Sequence, residues 1–252
     1  MEKVKAVLGL IGFPLGHSWS AKWFNEKFKK EGDVTSSYHL FPLKDITGFP
    51  AFIQSNPLLT GLNVTIPYKE KIIPYLDELD DSAASIGAVN TIRIERVSGK
   101  IHTTGFNTDG GGFLQTLTDQ MIPNRALILG TGGASRAVAW ALQEKGVPYS
   151  FVSREKQGSG ILSYQELTPE IISAHHFIVN TTPLGTYPGI TTSPPIPYHL
   201  LSGNHFLYDL VYNPGETIFI KSGKARKCNT MNGLQMLLNQ AALSYNIFSG
   251  GI

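Results

Sequence analysis

Two segments of this sequence each place an ionisable side chain next to predicted regular structure. Residues 61–69 (GLNVTIPYK) end on Lys69, and residues 105–110 (GFNTDG) contain Asp109. Further along, residues 127–134 (LILGTGGA) are typical of a strand that turns into a nucleotide-binding helix. A lysine, an aspartate and a dinucleotide loop together favour proton transfer coupled to hydride transfer.

Lys69 and Asp109 each have a simpler interpretation. Lys69 is predicted one turn into a helix that begins near Pro67, where most lysines are solvated, and Asp109 could cap a helix. Asn63 and Thr65, however, end a predicted strand that faces the same cleft as Lys69. Asp109 can also stabilise the ammonium form of a nearby lysine. We therefore predict that Lys69 and Asp109 are catalytic.

The glycine-rich segment 130–136 (GTGGASR) follows an apolar strand and opens a helix predicted to run to about Lys145. Glycines let the backbone turn tightly and approach a pyrophosphate, whose charge lies on free N–H groups at the helix N-terminus. The alternative is a plain turn with glycines for close packing. The flanking strand and helix favour the cofactor site.

The end of the next strand, predicted at 149–152, indicates which cofactor binds. NAD sites usually place Asp or Glu there for the ribose 2′-hydroxyl, whereas NADP sites use Arg for the 2′-phosphate. Here Ser153 stands at the tip and Arg154 follows, which favours NADP. Glu155 leaves NAD open, because a shifted turn would place it on the 2′-hydroxyl. Arg154 and Lys156 could also belong to a solvated loop.

Residues 12–20 (GFPLGHSWS) join the first predicted strand to the first predicted helix. The hydroxyls of Ser18 and Ser20, two residues apart near a helix N-terminus, would suit a carboxylate. N-capping by Ser20 is the simpler interpretation. His17 has no other His, Asp or Glu at metal-ligand spacing, so no metal is expected, and His175 and His176 are expected to be structural.

Short apolar runs alternate with amphipathic stretches, which favours an α/β fold with mainly parallel sheets covered by helices. A Ser98-Gly99 turn predicts a hairpin, and the Pro-, Gly- and Thr-rich stretch 183–197 predicts a surface loop, functional or merely connecting. The predicted strands are 6–11, 37–41, 59–64, 91–94, 100–103, 126–129, 149–152, 177–180 and 206–209; the predicted helices include 21–30, 68–79 and 234–248.

The composition bounds the class of protein. A hydrophobic content of 42% over 252 residues is enough for a sizeable core in one or two domains. The net charge of only +2, with scattered Lys and Arg, predicts no nucleic-acid or membrane partner. Cys228 is the only cysteine, so no intrachain disulfide can form. The start has too short an apolar run for a signal peptide, so we expect a cytoplasmic protein.

Eight segments, in this order, resemble the shikimate dehydrogenase family across nearly the whole chain. They are 12–20, 61–69, 87–91 (GAVNT), 107–110 (NTDG), 130–136, 180–185 (NTTPLG), 209–214 (DLVYNP) and 233–241 (GLQMLLNQA). The resemblance implies an N-terminal αβ substrate-binding domain, 1–105, completed by the returning helix 234–252. It also implies an NADP-binding Rossmann domain, 106–233, with the active site in the cleft between the two.

The activity that the resemblance implies is the reversible reduction of 3-dehydroshikimate to shikimate with NADPH, a step towards chorismate and the aromatic amino acids. The only partner expected is this small-molecule substrate, with the chain acting as a monomer or homodimer. Lys69 would be the acid/base, with Asp109 beside it. The other substrate-binding residues implied are Ser18 and Ser20 for the carboxylate, Asn63, Thr65, Asn90, Asp109 and Gln240 for the ring hydroxyls, and Tyr212 near the reacting carbon.

The resemblance also implies a set of cofactor-binding residues. They are Gly130, Gly132, Gly133 and Ala134 for the pyrophosphate; Ser153, Arg154 and Lys156 for the adenosine phosphate; Thr181, Thr182, Leu210 and Gly233 for the nicotinamide; and Asp81 near the cofactor.

The sequence departs from the family pattern in two regions. Ala21 stands where the family has proline and Phe24 where it has histidine, with Asn25 retained. The adenosine loop is Ser-Arg-Glu-Lys (153–156) where the family usually has Asn-Arg-Thr. Two rival functions stay open: an NAD-using quinate/shikimate dehydrogenase, and a non-catalytic ligand sensor that retained the fold.

Overall fold

The computed structural model describes residues 6–16, 18–118, 124–155 and 160–250. They form two compact units, one made from residues up to Thr108 and from Gln240 onward, the other from Asp109–Asn239. The boundaries between the units, 108/109 and 239/240, lie slightly later in the chain than the expected boundaries, 105/106 and 233/234. The C-terminal helix is therefore divided between the units, and only its part from Gln240 belongs with the first.

The first unit is built on a six-stranded sheet, whose strands are β1 (Val7–Gly12), β2 (Ser37–Pro42), β3 (Leu59–Val64), β4 (Glu78–Leu79), β5 (Thr91–Val97) and β6 (Lys100–Phe106). Their order is β2-β1-β3-β5-β6-β4. β1 is parallel to β2 and β3, and β4 to β6, whereas β5 is antiparallel to β3 and β6. The sheet is thus mainly parallel, as predicted.

Helices cover both faces of this sheet, and the side chains of β1 accordingly alternate between two cores. Leu8 and Leu10 are buried with Phe24 and Phe28, while Ile11 belongs to the other core. Phe24 and Phe28 are one turn apart on the first helix and so share a face. The helices of this unit are α1 (Trp19–Lys30), α2 (Phe49–Ser55), α3 (Asp81–Ile86) and the later part of α8 (Leu234–Phe248).

The predicted hairpin is confirmed, with longer strands than expected. Ser98 and Gly99 both have positive φ (52° and 78°), the combination that a two-residue type I′ turn requires. Such a turn matches the twist of the flanking strands, so β5 and β6 pair over their whole length, from Val97–Lys100 back to Thr91–Phe106. The hairpin therefore sets the register of Asn90 and Thr91 at the opposite end.

The second unit is built on a parallel six-stranded sheet in the order β12-β11-β10-β7-β8-β9. The strands are β7 (Ala126–Leu129), β8 (Tyr149–Ser153), β9 (Ile161–Ser163), β10 (Phe177–Asn180), β11 (Phe206–Asp209) and β12 (Asn229–Asn232), and the helices are α4 (Thr108–Leu114), α5 (Gly133–Glu144), α6 (Pro169–Ala174), α7 (Ile218–Ala225) and the start of α8. The strand order reverses beside β7, which has β8 on one side and β10 on the other. Open α/β sheets bind ligands at this point, outside the carboxyl ends of the strands.

The helix predicted over 68–79 is wrong. Lys69 lies in a turn, which leads into a single 3₁₀ turn at Ile73–Tyr75 and then into β4. Pro74 explains the difference, because it lacks the N–H that a continuous α-helix over 68–79 would need at that position. The stretch 183–197 contains no helix or strand, which confirms the predicted loop.

Candidate active site

The serine pair predicted to bind a carboxylate lies at the start of α1. The helix begins at Trp19, so its N-cap is Ser18, whose side chain makes no capping hydrogen bond. N-capping by Ser20 is therefore wrong. The Ser20 hydroxyl instead hydrogen-bonds to that of Tyr38 on β2, where burial raises the pKa of the tyrosine well above its usual range. Tyr38 is consequently a neutral hydroxyl beside the serine pair.

Tyr38 connects the serine pair to Asn63 on β3. The Tyr38 hydroxyl donates to Asn63 Oδ1 at 2.9 Å. Asn63 Nδ2 donates in turn to the backbone oxygen of Asn90 (3.2 Å) and to the hydroxyls of Thr91 (3.1 Å) and Ser244 (3.0 Å). Asn63 is only 7% exposed, and protein atoms engage both ends of its amide. This geometry gives Asn63 a role in organising the site. Direct contact with the substrate ring, the role implied by the resemblance, stays a prediction.

Asn63 belongs to a buried group of hydrogen-bonded side chains that we call the polar cluster: Tyr38, Asn63, Asn90, Thr91, Thr108 and Ser244. Ser244, on α8, lies at its centre. Its Oγ is 2.8 Å from Thr91 Oγ1 and 3.0 Å from Thr108 Oγ1, and its side chain is fully buried. The cluster therefore joins the C-terminal helix to the strands that carry the predicted substrate residues.

Two predicted substrate residues are oriented by the polar cluster. Asn90 Oδ1 accepts from the backbone N–H of Thr108 at 2.7 Å, and Asn90 Nδ2 donates to Thr108 Oγ1 at 2.9 Å. Thr108 Oγ1 also donates to Gln240 Oε1 at 3.5 Å. The structure thus brings Asn90 and Gln240, far apart in the sequence, to the same threonine.

Lys69 is held close to Asn90 by the backbone. The backbone oxygen of Lys69 accepts from the N–H of Val89 at 2.7 Å, and Lys69 is partly buried. Thr65, at the start of the same turn, donates its backbone N–H to Ile11 at 2.9 Å. The predicted acid/base Lys69 and the predicted ring contacts Thr65 and Asn90 therefore lie together where β3 ends and β5 begins.

The two acidic residues singled out in the sequence occupy helix N-termini. Asp109 is partly buried in the first turn of α4. Asp81 is exposed in the first turn of α3, while its neighbour Asp80 caps that helix by accepting from the N–H of Ala83 at 2.9 Å. Asp81 belongs to the first unit, whereas the glycine loop belongs to the second.

The predicted pyrophosphate loop lies where β7 passes into α5. Gly130 has φ +114°, and a Cβ there would lie 2.8 Å from Thr181 Oγ1, so the fold itself requires this glycine. Gly132, the N-cap of α5, has an ordinary φ of −84°, and nothing lies within 4 Å of where its Cβ would stand. Gly133 and Ala134 form the first turn of the helix. The open space at Gly132 and the helix N-terminus fit a phosphate group, and packing alone does not explain the glycine there.

A pocket of about 470 Å³ opens at the end of β8, lined by Thr131, Ser153, Arg154, Glu155 and Ile161. It brings the glycine loop next to the residues predicted to choose between NADP and NAD. Arg154 suits a 2′-phosphate, whereas Glu155 would repel that phosphate and could accept from a ribose hydroxyl. Lys156, which was predicted to assist Arg154, lies outside the described residues, as does His17.

The residues predicted to line the nicotinamide pocket follow three neighbouring strands, β10, β11 and β12. Thr181 Oγ1 donates to the backbone oxygen of Leu129 at 2.6 Å, and this bond ties the end of β10 to that of β7. A Cβ at Gly233 would lie 2.0 Å from the backbone oxygen of Leu210, so only glycine allows α8 to begin against this loop. Thr182 is partly buried beside Thr181.

Tyr212, predicted near the reacting carbon, lies two residues beyond Leu210 in the loop after β11. Its side chain is 39% exposed, and partial burial raises the pKa of its hydroxyl. A neutral phenol at this position can donate or accept a hydrogen bond.

Phe24, one of the two residues near the start of α1 that differ from the family pattern, packs on Tyr38. Phe24 is almost fully buried and stacks on the Tyr38 ring with 4.4 Å between the ring centroids. The retained Asn25 binds the Tyr38 backbone at both ends of its amide, at 3.1 Å each. Phe24, in place of the family's histidine, therefore supports the tyrosine by apolar packing.

Sequence reasoning missed Tyr38, Thr91, Thr108 and Ser244. Thr91 and Thr108 stand inside two of the motifs, and Ser244 is a hydroxyl on the apolar side of the C-terminal helix. Buried polar side chains need hydrogen-bond partners. Hydroxyl residues at positions expected to be buried were therefore the signal that the sequence offered. Within the described residues, no group of three or more His, Cys, Asp and Glu is placed to hold a metal ion. No helix in the described part of the chain is long and apolar enough to cross a membrane.

Known proteins similar to this chain share both its sequence and its fold. The family model of the shikimate dehydrogenase substrate binding domain matches residues 10–92. A shikimate dehydrogenase (NADP(+)) from Carboxydothermus hydrogenoformans is 36% identical over 96% of this chain and 91% of its own length.

Two solved structures extend the similarity to the whole fold. The crystal structure of shikimate 5-dehydrogenase from Thermus thermophilus, in complex with NADP(H) and shikimate, has a TM-score of 0.82 and 32% identity, covering 97% of this chain and 93% of that one. Quinate dehydrogenase from Corynebacterium glutamicum, in complex with NAD, has a TM-score of 0.85 and 27% identity, covering 98% and 94%. Because more than a third of the residues are identical to the Carboxydothermus enzyme along nearly the full length of both chains, this protein belongs to the shikimate dehydrogenase family.

Proposed function

We propose that this protein catalyses the NADPH-dependent, reversible reduction of 3-dehydroshikimate to shikimate, a step towards chorismate and the aromatic amino acids. The observation that carries the proposal is the 36% identity to a shikimate dehydrogenase (NADP(+)) over 96% of the chain. The geometry supports it, because a Rossmann-type unit with an open glycine loop accompanies a unit that gathers hydroxyl, amide and lysine side chains. We expect the enzyme to be a monomer or a homodimer.

The substrate is held by neutral polar groups and by the serine pair. Ser18 and Ser20, next to the neutral hydroxyl of Tyr38, bind the carboxylate, while Thr65, Asn90 and Gln240 bind ring hydroxyls. Holding the carboxylate away from C3 fixes the ring, which lowers the entropic part of the barrier. Asn63 acts through the polar cluster that orients Asn90.

Lys69 supplies the proton. When bound, NADPH supplies the hydride that reduces the C3 carbonyl. Lys69, as the ammonium ion, protonates the oxygen of that carbonyl as negative charge develops on it, and the resulting amine recovers its proton from solvent. Asp109 orients the substrate hydroxyl and does not itself transfer the proton. General acid catalysis of this kind contributes about 10²- to 10⁴-fold to the rate.

A spectrophotometric assay at about 340 nm, the band of reduced nicotinamide, tests both the activity and the role of Lys69. Lys69→Ala should lower kcat by about 10²- to 10⁴-fold with a modest change in KM. The matched control is Lys71→Ala, an exposed lysine two residues away, which should keep wild-type kcat. A kcat of Lys69→Ala within about threefold of wild type would remove the assigned role. No turnover of shikimate with either cofactor would overturn the function and favour a ligand sensor.

A second candidate is an NAD-using quinate/shikimate dehydrogenase. The observation that favours it is Glu155, which lines the same pocket as Arg154, and a quinate dehydrogenase with bound NAD is among the similar structures. The two candidates differ in kcat/KM for shikimate and quinate with NADP and NAD. A clear preference for NAD, or for quinate, would select the second candidate.

A further inference from the structure

Asn180 and Asp209, to which the sequence analysis gave no role, face each other at the carboxyl ends of two adjacent strands. They are in register on β10 and β11, and both are fully buried. Asn180 Nδ2 donates to Asp209 Oδ1 at 2.9 Å. A buried carboxylate is costly unless it is hydrogen-bonded, so the partners of Asp209 need a physical account.

Each side chain of this pair also binds the loop that follows its own strand. Asn180 Oδ1 accepts from the backbone N–H of Thr182 at 3.0 Å and from its hydroxyl at 2.6 Å. Asp209 Oδ1 accepts from the backbone N–H of Val211 at 3.0 Å. Since Asn180 and Asp209 are bonded to each other, the two loops are joined through one buried contact.

The joined loops are those that carry the predicted nicotinamide-pocket residues. Thr181 and Thr182 follow Asn180, and Leu210 and Tyr212 follow Asp209. The adenosine pocket lies on the other side of β7, at the end of β8. A change in the contact between Asn180 and Asp209 should therefore move one half of the cofactor site and leave the other half in place.

Three groups donate to the carboxylate of Asp209. They are Asn180 Nδ2, the N–H of Val211 and the hydroxyl of Thr217, which donates to Oδ2 at 2.5 Å. Burial raises the pKa of Asp209, and these three hydrogen bonds oppose the rise. An amide in its place can keep the bonds from Asn180 and Val211 through its oxygen and donate to the Thr217 hydroxyl, whereas alanine loses all three bonds.

We propose that Asp209 is a positioning residue, which through Asn180 and Val211 holds the two loops that place the nicotinamide ring for hydride transfer. The inference rests on the proposed function, since it assigns the purpose of these loops. Asp209 touches neither substrate nor cofactor in this scheme. It acts through Thr181, Thr182 and Leu210.

The test compares Asp209→Ala with Thr217→Val. Thr217 binds Asp209 Oδ2 and caps α7 through the N–H of Ile220 at 3.3 Å, but it does not join the two loops. Both variants should lose stability. Asp209→Ala should also lose about 10- to 100-fold in kcat with NADPH and with NADH alike, whereas Thr217→Val should stay within about threefold of wild type.

Ligand binding gives a readout that does not depend on turnover. Adenosine 2′,5′-bisphosphate, which carries the adenosine half alone, should bind Asp209→Ala with wild-type affinity by calorimetry. NADPH should bind about tenfold more weakly or show an altered nicotinamide fluorescence. Equal losses for both ligands would show general damage to the unit and overturn the proposal, as would wild-type kcat in a folded Asp209→Ala.

The conservative variant Asp209→Asn tests the hydrogen bonds themselves. Its amide oxygen can accept from Asn180 and Val211 while its amide N–H donates to the Thr217 hydroxyl, so it should recover at least part of the NADPH affinity lost in Asp209→Ala. Failure to recover any, with the variant folded, would also count against a role for the contact itself. Because these binding experiments need no shikimate turnover, they distinguish failure of this inference from failure of the proposed function.

Discussion

Asn63 shows how one buried side chain can hold the predicted substrate residues together. Its amide accepts from Tyr38 and donates to Ser244, and these residues come from β2 and α8. Loss of the amide would leave buried hydroxyl groups without partners, and an unsatisfied buried polar group costs more than the net gain from an ordinary hydrogen bond.

Asn63→Ala should therefore lower the free energy of unfolding by about 2–4 kcal/mol, measured by urea denaturation. Tyr38→Phe removes a single donor and should cost about 1–2 kcal/mol. The control is Asn246→Ala, an exposed asparagine on α8, which should change the free energy by less than about 0.5 kcal/mol. If Asn63→Ala proved as stable as Asn246→Ala, the polar cluster would not have the structural role assigned to it.

The cofactor choice also rests on single residues. Arg154→Gln should lower kcat/KM for NADPH by about 10- to 100-fold and leave kcat/KM for NADH within about threefold. The reason is that we expect the arginine to contact only the 2′-phosphate, which NADH lacks. Glu155→Gln should raise the preference for NADPH by removing a repelling charge from the same pocket. Arg226→Gln, at the exposed C-cap of α7, is the matched control. Equal losses with both cofactors in Arg154→Gln would contradict recognition of the 2′-phosphate.

At the scale of the element, the turn from β7 to α5 contains glycines with different purposes. Gly130 is fixed by a positive φ and by the closeness of Thr181, which are demands of the fold. Gly132 has an ordinary φ and open space, so the folded chain by itself does not require a glycine there. We therefore predict that the requirement at Gly132 comes from a ligand whose phosphates approach the backbone.

Gly132→Ala should consequently keep the thermal stability of the protein while weakening NADPH binding by about tenfold or more. Gly130→Ala should lower the free energy of unfolding by about 1–3 kcal/mol, because alanine must adopt a left-handed backbone and press on Thr181. Thermal denaturation and NADPH titration of the two variants separate the effects. Unchanged NADPH affinity in Gly132→Ala would return this glycine to a packing role.

At the scale of the whole molecule, the first unit is assembled from both ends of the chain. Phe248 on α8 contacts the core that contains Phe24, with 6.0 Å between the ring centroids, and a Cβ at Gly61 would lie 2.3 Å from the Phe248 ring. The C-terminal helix therefore completes a core whose other members come from the first forty residues.

Phe248→Ala should lower the free energy of unfolding by about 2 kcal/mol, less than for a fully buried phenylalanine because this ring is only partly buried. Ser249→Ala, the exposed neighbour, should have almost no effect. Denaturation followed by tyrosine and tryptophan fluorescence measures both. A change for Phe248→Ala no larger than for Ser249→Ala would show that the last turn of α8 does not stabilise this unit.

The sequence predicted the elements whose local pattern was strong. The strands β3, β7, β10 and β11 and the helix α8 have the predicted bounds, because continuous apolar runs and an amphipathic period are local signals. Short elements such as β4, β9 and α6 were missed, since a few residues carry little periodicity. The helix over 68–79 failed because its amphipathic period outweighed Pro74 in the prediction, whereas in the chain the proline decides.

By itself, the sequence determined the family, the glycine loop and the types of residue that can bind and protonate the substrate. Those follow from residue types at short spacings. Only the tertiary structure decided that Asn63 is enclosed by Tyr38 and Ser244, and that Asn180 faces Asp209. The reason is physical: Asn63 and Ser244 are 181 residues apart, and Asn180 and Asp209 are 29 apart on separate strands. Hydrogen bonds between such distant residues depend on strand order and register, which no local pattern specifies.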